Sequence, residues 1–164
     1  MEITTSSAGA ALALEPERTL GRGKPAPQTS ARAMSLLDAK CTVPHPLAVA
    51  GGTAAVFSAP APEKESPNED AAMVVELTPN HAVLVVADGL GGHASGEHAA
   101  RLAMQSLRQT LMPLEIDPRD TNADALRWAV LAGIEEANRV VLELGNGAAT
   151  TLAVVEVQGD TIRP

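Results

Sequence analysis

Aromatic rings are nearly missing from this sequence: 164 residues contain one Trp (Trp128), one Phe (Phe57) and no Tyr. Alanine is plentiful but buries little area per residue, so a core has to come from Val, Leu and Ile. Cysteine is almost absent too. The single Cys41 excludes an internal disulfide and agrees with a reducing compartment. It sits between Lys40 and Thr42, just before Pro44 and Pro46, with no catalytic pattern around it. No apolar run approaches the length that crosses a bilayer. The first residues show no basic region followed by an apolar core, so no secretory signal is expected. These absences lead to the expectation of a soluble, cytoplasmic protein.

Positive charge is scarce where the sequence is most structured. Residues 1–60 carry five Lys/Arg against four Asp/Glu, whereas residues 61–164 carry seven against sixteen; the whole chain has a net charge of −8. An acidic half argues against nucleic acid or an anionic membrane as partner. It suits a site that gathers divalent cations, although a solvated acidic surface has the same composition.

Residues 1–44 are rich in Ala, Ser, Thr and Pro without sustained periodicity. Such a segment buries too little apolar surface to offset its ordering entropy, so it is expected to be a disordered leader, with one short helix possible over Ala31–Ala39. The domain is then residues 45–164. Leu47–Ser58 reads as strand with a break at Gly51-Gly52, and Ala71–Leu77 as a second strand. Thr78-Pro79-Asn80 is turn chemistry. Ala82–Ala87 is a continuous apolar run, as in a strand covered on both faces. The last two strands should pair as an antiparallel hairpin.

A helix capped at Ser95 should follow, with Glu97 in its first turn, ending near Leu111 before Pro113. After a polar loop, Thr121 with Asp124 resembles a capping box. It opens a second helix carrying Leu126, Val130, Ile134, Ala137, Val141 and Leu144 at helical spacing, terminated by Gly145-Asn146-Gly147. Thr150–Val157 reads as a closing strand. Strands grouped together and then helices give an α+β fold, with helices packed on an antiparallel sheet.

Two acidic segments carry the chemistry. Asn68-Glu69-Asp70 opens one strand of the expected hairpin and Asp88-Gly89 ends the other, so Asp70 and Asp88 should lie at the same end of the sheet. Converging carboxylates repel, and a hard cation such as Mg²⁺ or Mn²⁺ relieves that repulsion. A glycine at 89 lets the backbone carbonyl approach a metal as well. Taken singly, an acid at a strand end is more often just solvated, and Asp-Gly more often just a turn. Gly89-x-Gly91-x-x-Ala94 also matches a dinucleotide-binding fingerprint. That reading needs a parallel strand straight after the helix, where this sequence has a polar loop and another helix. His93 and His98 with Glu97 have the wrong spacing for a zinc site on one helix face.

Val86-Ala87-Asp88-Gly89-Leu90-Gly91-Gly92-His93, followed by Gly96-Glu97-His98-Ala99-Ala100-Arg101-Leu102-Ala103, resembles the signature of the PPM family, the metal-dependent type 2C serine/threonine protein phosphatases. Asn68-Glu69-Asp70-Ala71 is similar to the family's upstream motif, and Thr150-Thr151-Leu152 to a later strand motif, in the family's order. The resemblance covers roughly residues 47–164. It implies a β-sandwich of antiparallel sheets flanked by helices, of which this chain would supply a part.

The resemblance also implies a centre of two Mn²⁺ or Mg²⁺ ions. Asp88 would be the bridging ligand and catalytic residue, Gly89 would contribute its carbonyl, and Asp70 and Glu69 would hold metal-bound waters. The implied reaction is hydrolysis of phosphoserine or phosphothreonine in a phosphoprotein substrate by metal-activated water. Glu65, beside Lys64, stands where many members have a phosphate-binding Arg, Leu90 where animal members have a His, and Ala149 where the family has a Gly. Family members continue into a Gly-Asp-Ser-Arg motif and two further metal aspartates that this sequence does not contain. The expectation is a C-terminally truncated phosphatase with impaired activity; the alternative is a non-catalytic interaction module built on the same fold.

Overall fold

The structure is a computed structural model and describes residues 31–63, 67–90, 94–120 and 124–164. Among the described residues, eight strands and two helices follow one another as β1 (Arg32–Leu37), β2 (His45–Val49), β3 (Gly52–Val56), β4 (Asp70–Thr78), β5 (His81–Leu90), α1 (Ala94–Leu111), α2 (Asp124–Leu142), β6 (Ala149–Thr150), β7 (Ala153–Gln158) and β8 (Thr161–Arg163). The α+β class expected from the element order is what is observed. No helix among the described residues is long and apolar enough to cross a membrane.

The main sheet is antiparallel with strand order β1-β4-β5-β7-β8, and the short β6 pairs with the end of β5. Its centre is the hairpin of β4 and β5, with Met73 opposite Val85 and Val75 opposite Val83. Because side chains alternate along a strand, Ala71, Met73, Val75 and Leu77 of β4 share one face with Val83, Val85 and Ala87 of β5. This face packs on Ala99, Ala103, Met104, Leu107 and Leu111 of α1 and on Leu126, Val130, Ala137 and Val141 of α2. Fully burying a Leu, Met or Val side chain contributes about 1.5–3 kcal/mol, so this aromatic-free cluster carries most of the stability. Gly133 lets α2 lie close on α1, since a Cβ there would come within 3.3 Å of Leu107 Cγ.

The opposite face is covered in part by β2 and β3. These form a hairpin whose turn residues Ala50 and Gly51 both have positive φ, 47° and 75°, the combination that lets a two-residue turn follow the strand twist. The hairpin sets Val49 and Ala50 against Val74 and Ala82. Glu76 fastens it: Oε1 accepts from the Ala50 N–H at 3.0 Å, while Oε2 pairs with Arg32, whose Nη2 donates to the Ala48 carbonyl at 3.1 Å. Two layers on the central sheet correspond to the expected partial sandwich.

Three expectations need correction. Residues 31–44 were assigned to the leader, and Ala31–Ala39 to a possible helix; instead Arg32–Leu37 is a strand paired with β4 from Arg32↔Glu76 to Leu37↔Ala71. An alanine- and serine-containing hexapeptide has weak strand preference of its own, but β4 offers it an unpaired edge and an apolar surface, and that context outweighs propensity. The helix expected to be capped at Ser95 begins at Ala94, which places Ser95 within its first turn. The closing strand is broken at residues 151–152 into β6 and β7, and Gly159-Asp160 then turns the chain into β8. The Thr121 cap, Lys64, Glu65 and His93 lie outside the described residues.

Candidate metal centre

The β4–β5 register fixes the site. Asp70 is the direct cross-strand partner of Asp88, so their side chains leave the sheet on the same side, with Cβ atoms about 5 Å apart. Both are exposed. Neither carboxylate is drawn to this end by hydrophobic burial; the apolar stretches Ala71–Val75 and Val83–Ala87 fix the register, and the aspartates are carried to its open end.

Glu69 and Gly89 meet through the backbone. The Gly89 N–H donates to the Glu69 carbonyl at 3.1 Å, holding the two strand ends together beyond the last paired residues. Gly89 is buried under the first turn of α1: a Cβ on it would overlap the Gly96 backbone and come within 2.8 Å of the Glu69 carbonyl oxygen. A Cβ on Gly96 would reach 2.7 Å from the Gly89 carbonyl and 3.0 Å from Glu69 Oε1. Both positions therefore require glycine for close approach rather than for an unusual φ. The same contact places the half-buried Glu69 carboxylate against the first turn of α1, a favourable place for negative charge.

Asn68 is the hub beneath these residues. It is 3% exposed. Its Nδ2 donates to the Ala39 carbonyl at 2.9 Å and to Ser58 Oγ at 2.8 Å, its Oδ1 accepts from the Asp70 N–H at 3.1 Å, and its own N–H donates to Asp38 Oδ1 at 2.9 Å. Every polar group of this buried amide side chain thus helps aim Asp70, and two of the partners, Asp38 and Ala39, come from the segment that the sequence assigned to a disordered leader.

On the far side, Asp88 is held by the stretch between β6 and β7. The Asp88 N–H donates to Thr151 Oγ1 at 3.2 Å. Its carbonyl accepts from the Thr151 N–H at 2.9 Å and from the Thr150 hydroxyl at 3.0 Å. The Thr-Thr pair was visible in the sequence as a motif; its use as a clamp was not, because hydroxyl-to-backbone bonds leave no periodic signal. Asp38 and Ser58 also escaped the sequence reading, lying 30 and 10 residues from Asn68.

Among the described residues no three or more His, Cys, Asp and Glu side chains come together as a group that could hold a metal ion. The structure brings Asp70, Asp88 and the Gly89 backbone together and sets Glu69 just behind them. His98 is exposed and apart from them on α1. The dinucleotide reading fails on topology, because the strands after the helices, β6 and β7, both run antiparallel to β5.

No curated protein matches the chain. Among solved structures, the Mycobacterium tuberculosis serine/threonine phosphatase PstP/Ppp is similar at 24% identity with a TM-score of 0.40, over 80% of this chain and 44% of that one. The chain thus spans less than half the length of that phosphatase. A family model described as Protein phosphatase 2C matches residues 61–163. That span includes Asn68-Glu69-Asp70, Asp88-Gly89 and Thr150-Thr151, and on it the chain belongs to the protein phosphatase 2C family.

Proposed function

We propose that this chain contributes part of a divalent-cation centre that hydrolyses phosphoserine or phosphothreonine in protein substrates. The observation that supports it best is the pairing of Asp70 with Asp88 across the end of the central hairpin. Two exposed aspartates paired directly across the strands, with Cβ atoms about 5 Å apart, repel each other, and a shared cation relieves that repulsion. The donors among the described residues fit Mn²⁺ or Mg²⁺, since all of them are hard oxygens.

In this reading Asp88 would be the bridging ligand and catalytic residue, Gly89 would offer its carbonyl, and Asp70 and Glu69 would hold metal-bound waters. The chemistry such cations supply is neutralisation of phosphate charge and Lewis-acid activation of water. The chain's own residues hold the donors still: Asn68 aims Asp70, the threonines grip Asp88, and Gly96 lets α1 close over Gly89. Among the described residues the donors are three carboxylates and one carbonyl, few for a pair of octahedral ions even with waters in the shell, so hydrolysis by the chain alone is expected to be weak.

The test is isothermal titration of Mn²⁺ into the chain. Binding with measurable heat is expected, lost in Asp88→Asn and weakened in Asp70→Asn. Equal Mn²⁺ affinity in the wild type and Asp88→Asn removes the proposal. Vigorous Mn²⁺-dependent hydrolysis of p-nitrophenyl phosphate by the 164-residue chain would show instead that these donors suffice.

A further inference from the structure

We propose that Thr151 is a positioning residue whose hydroxyl stands in for a missing strand partner and fixes the direction in which Asp88 presents its carboxylate to a divalent cation. This rests on the reading of Asp70 and Asp88 as cation ligands. The pairing of β5 with β7 ends at Val86↔Ala153, and pairing with β6 begins at Gly89↔Thr150. Asp88 falls in the gap, the one place along this edge of β5 where the ladder is interrupted.

Two threonines bridge the gap. The Asp88 N–H donates to the Thr151 side chain at 3.2 Å, where a regular ladder would offer a carbonyl. The Thr151 N–H returns a bond to the Asp88 carbonyl at 2.9 Å. The Thr150 hydroxyl donates to the same carbonyl at 3.0 Å and shares its hydrogen with the Thr151 carbonyl, also at 3.0 Å. On its other edge Asp88 faces Asp70 of β4. Rotating the peptide between Asp88 and Gly89 would break bonds on both edges, those of the Asp88 carbonyl to the threonines and that of the Gly89 N–H to the Glu69 carbonyl. Only one acceptor in this arrangement belongs to a side chain, so substitution can remove it while leaving the backbone atoms in place. Valine keeps the shape of threonine and deletes the oxygen; serine keeps the oxygen and deletes the methyl.

The experiment compares the full chain with Thr151→Val and Thr151→Ser by Mn²⁺ calorimetry, together with NMR hydrogen exchange of the Asp88 amide in EDTA. Thr151→Val is expected to bind Mn²⁺ about tenfold or more weakly, the usual loss when a partner that orients a ligand is removed, and to exchange the Asp88 amide faster. Thr151→Ser is expected to restore both towards wild type. Thr151→Val with unchanged Mn²⁺ affinity overturns the inference while leaving the cation site standing. So does a Thr151→Ser protein as impaired as Thr151→Val, which would assign the loss to packing of the methyl group. A wild-type chain that binds no Mn²⁺ removes the cation site and this inference with it.

Discussion

Asn68 and Asp117 show how single polar side chains act here in opposite settings. Asn68 is buried and satisfied on all sides. Its replacement by Ala would strand the Ala39 carbonyl, Ser58 Oγ and the Asp70 N–H, and a buried group left unpaired costs about 1–3 kcal/mol. Asn68→Ala is therefore expected to lower stability by a few kcal/mol in urea unfolding and to weaken Mn²⁺ binding, because the Asp70 backbone loses its local acceptor.

Asp117 is exposed in the loop between the helices. Hydrogen bonds from the Arg119 side chain, chiefly, and from the Arg119 N–H pull its pKa from 3.8 to about 2. A lowered folded-state pKa means that the contribution of the pair is present above the unfolded value and disappears as the pH falls through about 2. Carboxyl NMR titration should show this low midpoint, and Arg119→Ala should move it back towards 3.8. An unmoved midpoint would contradict the pairing.

At the scale of elements, the β4–β5 hairpin and both helices were legible in the sequence. A continuous apolar run beside a Pro-Asn turn, and Leu/Val spacing near 3.6 residues, each translate directly into burial on one face. β1 was not legible, since its place is decided by the free edge of β4 and not by its own Ala, Met and Ser. The break between β6 and β7 was hidden for a related reason: residues 149–158 look uniformly strand-forming, and the interruption exists because hydroxyls at 150 and 151 replace ladder bonds next to Asp88. The Asp70–Asp88 pairing was foreseeable because it follows from hairpin register. The Asn68 hub was not, because it depends on partners brought in by tertiary structure.

Two element-scale outcomes follow from packing. Leu107 is fully buried where α1 meets Gly133 of α2, so Leu107→Ala should cost about 2–5 kcal/mol in chemical denaturation. Gly96→Ala would force a methyl group towards the Gly89 carbonyl. It should cost about 1–3 kcal/mol from overpacking and disturb Mn²⁺ binding, whereas Gly147→Ala, which meets nothing within 4 Å, should leave binding unchanged despite its strained positive φ of 78°.

For the molecule as a whole, an acidic chain folds so that its main buried apolar cluster is sealed between one sheet face and two helices. Among the described residues the second face is covered only where β2 and β3 reach, and Phe57 and Val86 are 52% and 55% exposed. The candidate site sits at the end of the sheet where β4, β5, β6 and the start of α1 converge, so its geometry is inherited from the best-packed part of the fold. Stability and site geometry should therefore fail together when the β4–β5 register is disturbed, and separately when only Asp70 or Asp88 is neutralised. Asp88→Asn is expected to melt at or above the wild-type temperature in EDTA, since it removes a repulsion, while losing stabilisation by Mn²⁺.

The most direct measurement is an anomalous-difference map from crystals of the chain soaked in Mn²⁺. A peak shared by the Asp70 and Asp88 carboxylates, at about 2.1 Å from the Asp88 oxygens, is the result expected. Manganese bound only elsewhere on the acidic surface, with this end of the hairpin empty, would contradict the account.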